Sequence, residues 1–259
     1  MAEKFREQAV VLSQEQIAAQ IFSMWIQTEK IAAYAVPGQF ISVYSNDSGR
    51  ILPRPISICE TDKEKGRLRI VYRVAGKGTE EFSQCKAGDC LDVLGPLGNG
   101  FSLERCKQGK KAFLIGGGIG IPPMVQLAKE LEGEVQVVAG YRDELFLTDE
   151  LKAHGMFYVA TEDGSAGTKG NVLDCIREHG LHADVIFACG PAPMLRAIKA
   201  YAEKNEIECW VSMEEKMACG IGACLACVCG SKEVDAHSKV HNKRICKEGP
   251  VFRAEDIEL

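Results

Sequence analysis

Long apolar runs are missing from this 259-residue chain, and no stretch approaches the roughly 20 apolar residues that a membrane-crossing helix needs. Positive charge is in short supply as well. Lys and Arg total 31 against 36 Asp and Glu, a formal net charge of −5, and no basic tract gathers the cations. That balance excludes nucleic acid, or an anionic membrane surface, as the main partner. Histidine is scarce: the five (His154, His179, His182, His237, His241) read as surface or tail residues, and no Ser/His/Asp array or paired-carboxylate pattern accompanies them. Pocket chemistry on an organic substrate therefore has no evident machinery. The opening residues MAEKFREQAVVLSQEQ are charged and lack the apolar run and small-residue cleavage site of a secretory signal, so a cytoplasmic protein is expected. Internal repeats and low-complexity linkers are missing too.

Cysteine is what the chain has in excess, with twelve. Seven (Cys59, Cys85, Cys90, Cys106, Cys175, Cys189, Cys209) are scattered, mostly in apolar strands or helices, where buried reduced thiols are the expectation. The other five crowd between Cys219 and Cys246, which points to a local site and not to a disulfide framework.

Residues 1–100 carry short segments rich in β-branched residues, REQAVVLS, QFISVYS, ILPRPISIC, GRLRIVYRV and DCLDVLGP, with GTEEFSQC as one short helix. They predict an antiparallel β-barrel. Residues 101–212 alternate strand and helix, from KKAFLIGGGIGIPPMVQLAKELEG through ADVIFACGPAPMLRAIKAYAEKN to IECWVSME. That alternation predicts a doubly wound parallel α/β domain, making the chain a multidomain α+β and α/β protein. Residues 213–259 form a cysteine-rich tail, too small for a core of its own, that bound metal would have to organise.

Four motifs carry chemistry. Cys219, Cys224 and Cys227 follow the C-x4-C-x2-C spacing, with Cys246 at a distance, as in plant-type [2Fe–2S] loops. Small residues (Gly220, Gly222, Ala223, Ala226) let such a loop wrap closely round sulfides. A four-cysteine zinc site is the alternative, and Cys229 competes with Cys246 for the fourth place. In LIGGGIGIPPM, a strand meets Gly116, Gly117, Gly118 and Gly120, where the backbone can approach a phosphate at a helix start. ACGPAPML places Cys189, Gly190 and Pro191 after another strand on the same sheet edge, so the two turns describe a dinucleotide cleft with Cys189 beside the nicotinamide. Residues 161–170, TEDGSAGTKG, are expected on its adenosine side. In the barrel half, Arg54, Pro55, Ile56 and Ser57 (RPIS) offer an arginine for a pyrophosphate and a serine, expected on the same face, for a flavin edge. VYRVAGKGT adds Val71, Tyr72 for stacking, Arg73 for a phosphate, and Gly78 with Thr79 for a backbone cradle.

The order RPIS, GGGIGIPPM, CGPAPM resembles the ferredoxin–NADP reductase superfamily over roughly residues 5–212. With MEEKMACGIGACLACVC and RICKEGPVF added, the whole chain is similar to the electron-transfer subunits of class B dihydroorotate dehydrogenases. The resemblance implies FAD in the barrel on Arg54 to Ser57, Val71 to Arg73, Gly78 and Thr79, NAD in the second domain, and [2Fe–2S] on Cys219, Cys224, Cys227 and Cys246. It also implies a heterotetramer in which two such chains flank two FMN-containing catalytic subunits. Two departures stand out: Ile56 occupies a place that many reductases give to a flavin-stacking aromatic, and the segment from Cys227 to Cys246 is long and polar. The redox chemistry agrees with the resemblance. Nicotinamide moves two electrons as hydride, a [2Fe–2S] centre moves one, and a flavin does both. A wire between NAD and a partner's substrate is the expected function, with an NAD(P)H–ferredoxin or sulfur- or hydrogenase-linked reductase subunit, or a zinc-ordered redox-sensing module, as rivals. Beyond the strand EVQVVAGYR, Arg142 suits a 2′-phosphate and Asp143 a hydroxyl, leaving NAD against NADP open in the letters.

Overall fold

The computed structural model describes residues 3–107, 109–236 and 239–259; His237 lies outside them. Six strands close the N-terminal barrel: β1 (Phe5–Ala18), β2 (Ile21–Gln27), β3 (Phe40–Val43), β4 (Arg54–Asp62), β5 (Arg67–Arg73) and β6 (Cys90–Leu97). Their order is β1-β2-β5-β4-β3-β6, antiparallel at every pair. Alternate residues such as Ala9, Val11, Ile41, Val43, Ile56 and Ile58 fill the interior. Two short helices, α1 (Glu29–Tyr34) and α2 (Lys77–Phe82), bridge strands of the barrel. The sequence reading missed β2 and α1. IFSMWIQ has no strict alternation, because Ser23 and Met24 are both buried at a strand that packs on two sides.

The second unit is a seven-stranded sheet flanked by four helices. Its elements are β7 (Lys111–Gly117), α3 (Pro122–Glu130), β8 (Glu134–Tyr141), α4 (Thr148–Lys152), β9 (Met156–Thr161), β10 (Thr168–Lys169), α5 (Val172–Glu178), β11 (Val185–Cys189), α6 (Ala192–Lys204) and β12 (Glu208–Ser212). The tail adds a hairpin, β13 (Val228–Gly230) with β14 (Asn242–Arg244), and then β15 (Val251–Arg253). Strand order is β10-β9-β8-β7-β11-β12-β15, parallel except for β15 on the edge. From β7 the chain winds outward to β10, then returns to β11 on the other side, so a crevice opens where β7 and β11 end. Caps set the helix starts: Pro122 and Pro123 occupy the first turn of α3, and Asn171 Oδ1 accepts the Leu173 and Asp174 N–H groups at α5.

One apolar layer joins the α3 side of the sheet to barrel residues Ile21, Cys59 and Val71. The opposite layer gathers α5 and α6, barrel residues Phe40 and Leu97, and tail residues Cys227, Ile245, Cys246 and Phe252. The tail thus has no core to itself, and borrows one. Polar ties reinforce the joints. Gln126 Oε1 accepts the Thr61 N–H at 2.9 Å, and buried Arg69 donates to Ser23, to Glu60 and, across to α4, to Glu150 at 2.9 Å. Asn99 holds both the N–H and the carbonyl of Val251. Among the described residues, no helix is long and apolar enough to cross a membrane. Of the scattered cysteines, Cys59, Cys106, Cys175, Cys189 and Cys209 are buried, Cys85 is half-buried and Cys90 is exposed. The four described histidines are exposed except His154, which is half-buried.

Candidate functional site

A cavity of about 740 Å³ lies between the barrel and the β12–tail junction. Arg54, Pro55, Ile56, Ser57, Val71, Tyr72, Arg73 and Thr79 line one wall, so eight of the nine barrel candidates come together. The ninth, Gly78, stands behind Arg54: a Cβ there would lie 2.7 Å from Arg54 Nε, so only glycine lets the guanidinium rest against α2. Arg54 Nη1 donates to the Leu52 carbonyl at 2.9 Å, and no carboxylate pairs with it among the described residues. Its charge is free for an anion. Thr79 Oγ1 accepts from the Ala75 and Gly76 N–H groups and shapes the turn before α2.

Two details differ from expectation. Ser57 is three residues beyond Arg54, so strand alternation turns it to the opposite face, with Pro55; Arg54 goes with Ile56. Both faces still reach the cavity, because it wraps the strand's first residues. Tyr72 reaches the wall, yet its ring is buried between Phe22 and Phe82, and its hydroxyl donates to Gln14 Oε1 at 2.7 Å. That ring is not free to stack on a ligand.

The facing wall was not legible in the sequence: Ile119, Ser212, Met213, Glu214, Glu215, Lys216 and Met217. The available signal was position, since residues just past the carboxyl end of a parallel strand line the ligand edge. Glu214 is an exposed residue on the cavity wall, yet partial loss of water round its carboxyl raises it above the ordinary range, against the pull of Arg73.

The two glycine turns meet at the crevice. A Cβ on Gly120 would fall 2.3 Å from the Cys189 carbonyl oxygen, one on Gly117 would strike Met194, and one on Gly116 would strike Ile121. These three glycines let turn pack on turn. Gly118, at φ +53°, is the one facing open space, with Arg73 Nη2 its nearest neighbour. Gly190 packs against Gly117, and Pro191 is exposed before α6. Cys189 is 1% exposed, and burial first, then Glu214, pushes its thiol up; Ser212, which lines the cavity beside Glu214, pulls the other way. Residues 161–170 turn back on β9 at its carboxyl end, and Arg142 and Asp143 are both exposed after β8.

In the tail, the four candidate sulfurs stand as two pairs. Cys219 Sγ and Cys224 Sγ are 3.3 Å apart, and the Cys246 N–H donates to Cys227 Sγ at 3.4 Å. Main-chain donors turn inward on them: the Cys224 N–H to Cys219 Sγ, and the Gly222 N–H to Cys246 Sγ at 3.2 Å. Gly220 and Gly222, at φ +68° and +83°, make that inward turn possible. Burial would raise Cys219, but donors from Cys224, Ile221 and Ala223 bring it down to about 6. Burial and neighbouring Cys227 push Cys246 up to about 12. Cys229 is elsewhere engaged, in β13, its Sγ donating to the Lys243 carbonyl. Among the described residues no three ligands converge on one point. Two thiol pairs lined by N–H groups fit two irons better than one tetrahedral zinc, which needs all four sulfurs round a single centre.

A barrel whose wall offers an unpaired arginine, a dinucleotide crevice and a paired-thiol loop define an oxidoreductase with flavin and iron–sulfur cofactors. Residues 8–101 match the oxidoreductase FAD-binding domain, and residues 214–258 match the iron–sulfur cluster binding domain of dihydroorotate dehydrogenase B. The electron transfer subunit of dihydroorotate dehydrogenase B (NAD(+)) from Bacillus caldolyticus is 42% identical over 98% of this chain and 99% of its own. The Listeria monocytogenes subunit of the same name is 43% identical over 96% and 97%. The chain belongs to this family of electron-transfer subunits. Among solved structures, the NADH-dependent reduced ferredoxin–NADP oxidoreductase, studied for flavin-based electron bifurcation, superposes with a TM-score of 0.85 at 30% identity, over 97% of this chain and 90% of that one. A ferredoxin–NADP⁺ reductase from Neisseria gonorrhoeae shares the fold at 17% identity and a TM-score of 0.64, over 77% and 91%.

Proposed function

We propose that this chain carries electrons from dihydroorotate, oxidised at FMN in a separate catalytic subunit, to NAD⁺. In the net reaction dihydroorotate loses two electrons and two protons; NAD⁺ takes two electrons and one proton as hydride, and the other proton goes to solvent. The [2Fe–2S] cluster supplies one-electron exchange and FAD its conversion to hydride exchange. Residues 1–100, 101–212 and 213–259 divide the work as FAD, NAD and cluster units. Arg54 holds the FAD pyrophosphate; Pro55, Ile56, Ser57, Val71, Tyr72, Arg73, Gly78 and Thr79 shape the rest of that site. Gly118, beside Arg73, lies where the nucleotide phosphates approach, and Gly116, Gly117, Gly120, Cys189, Gly190 and Pro191 hold the crevice open. Cys219 and Cys224 ligate one iron, Cys227 and Cys246 the other. Two such chains flank two catalytic subunits in the cytoplasm.

The observation that carries this reading is one cavity with flavin-type residues on one wall and the start of the cysteine-rich tail on the other. The test is anaerobic co-purification with the FMN-containing chain, with counts of iron, sulfide and flavin, followed by an assay of dihydroorotate-dependent NADH formation. The likeness to the ferredoxin–NADP oxidoreductase favours one other reading, a ferredoxin-linked reductase subunit. NADH oxidation coupled to ferredoxin, with no response to dihydroorotate, would establish that reading instead.

A further inference from the structure

Strand β3 carries a side chain that none of these roles uses. Ile41 and Val43 point into the barrel, whereas Phe40 joins the apolar layer that holds Leu97, Cys227 and Cys246. By alternation Ser42 shares the outer face with Phe40. Its hydroxyl is buried, the residue being 1% exposed, and has no hydrogen-bond partner among the described residues. A buried hydroxyl with nothing to bond is costly, so something is expected to satisfy it. The direction it takes is specific: Ser42 Oγ lies 2.9 Å from where a Cβ on Gly220 would stand, with Leu97 at the same spot. Gly220 follows Cys219 directly and opens the thiol loop. On the other side, β3 pairs with β4, Ser42 facing Pro55 and Phe40 facing Ser57. Phe40, Pro55 and Ser57 all line the flavin cavity. One residue therefore touches the cluster loop while its cross-strand neighbour touches the flavin wall.

We propose that Ser42 is the barrel's hydrogen-bond donor to the iron–sulfur centre, a positioning residue that sets the cluster's potential from the flavin side. The inference rests on the assignment of the cluster to Cys219, Cys224, Cys227 and Cys246. A donor to cluster or thiolate sulfur favours the reduced form, which carries one more negative charge, and so raises the potential. Absence of Cβ at Gly220 keeps the path to the sulfurs clear.

The test uses the full chain with its cluster, titrated anaerobically while the reduced-cluster electron paramagnetic resonance signal is followed. Exchangeable protons coupled to the cluster are read in H₂O and D₂O. S42A and S42V should shift the reduction equilibrium roughly tenfold toward the oxidised form, about 59 mV lower for one electron, and lose one coupled exchangeable proton. S42T has the shape of S42V but keeps the hydroxyl, and should hold both the wild-type potential and the proton. An unchanged S42A, or S42T moving with S42V, overturns the proposal. Wild-type protein without iron or sulfide overturns the cluster assignment itself, a separate and visible outcome.

Discussion

The barrel and parallel sheet on one side, and the cysteine-rich tail on the other, reach order by different means. Barrel and sheet bury continuous apolar layers, in which Phe82, Phe113 and Phe187 are wholly enclosed. Each such side chain contributes about 1.5–3 kcal/mol by leaving water. The tail has strands of three residues, leans on Phe40, Leu97 and α6 for apolar cover, and gathers its own residues round thiols and a buried charged group centred on one arginine. That arginine is Arg244, bonded to both Glu248 oxygens, paired with the buried Asp235 at 3.7 Å, and donating to the Gly222 carbonyl at 3.1 Å. Hydrophobic burial needs area, and the tail has little. Directional bonds replace it there, and a site built from them is sensitive to single atoms.

The sharpest way to break this contrast is Cys224→Ala. Iron and sulfide should fall to none with the tail's visible absorption, while FAD stays near one per chain; loss of both would mean the barrel depends on the tail. Next in size is Arg244→Met, which strands Glu248 and leaves the Gly222 carbonyl unmet. Breaking a buried pair costs about 3–5 kcal/mol. Cluster loss to a chelator should quicken by orders of magnitude, with little change in the melting of the flavin-bound barrel. Arg54→Ala probes the other region. Removing one charge-assisted partner of the pyrophosphate should weaken FAD binding about 10- to 100-fold, from the roughly 1.5–3 kcal/mol such a bond carries, with iron content unchanged. Equilibrium dialysis of flavin against the variant reads this directly.

The smallest effect is a pH slope. Glu214 has its carboxyl raised above the ordinary 4.5, so the fold favours its protonated form. Its contribution to stability is complete below 4.5 and is lost as pH rises through the raised value. Glu214→Gln cannot ionise. Melting temperature measured upward from pH 4.5 should decline in the wild type relative to the variant, and parallel curves would remove Glu214 from the cavity's electrostatics.

Much of the fold was legible because pattern and period agree there. The alternating REQAVVLS became part of β1, and the unbroken apolar run in KKAFLIGG became a strand covered on both faces. Elements below four residues were not legible: β10, β13, β14 and β15 are too short for a period to register. The close approach of Cys219 and Cys224 could be anticipated from spacing, since both lie on one tight turn. Glu214, Ser42 and Arg244 could not, because each acquires its meaning from a partner far along the chain: Arg73, Gly220, and the Gly222 carbonyl with Asp235.

What was written in the letters was every feature whose cause lies within a few residues: strand and helix periods, glycines where the backbone turns, and the C-x4-C-x2-C run. Tertiary structure decided the rest. It turned three of the four glycines of the first turn to packing and left Gly118 open, and it engaged the Tyr72 ring within the barrel. It drew Cys229 to Lys243 while bringing Cys246 beside Cys227. The reason is physical: side-chain chemistry is local, but burial, approach distance and the presence of a bonding partner belong to pairs of segments that meet only when the chain closes on itself.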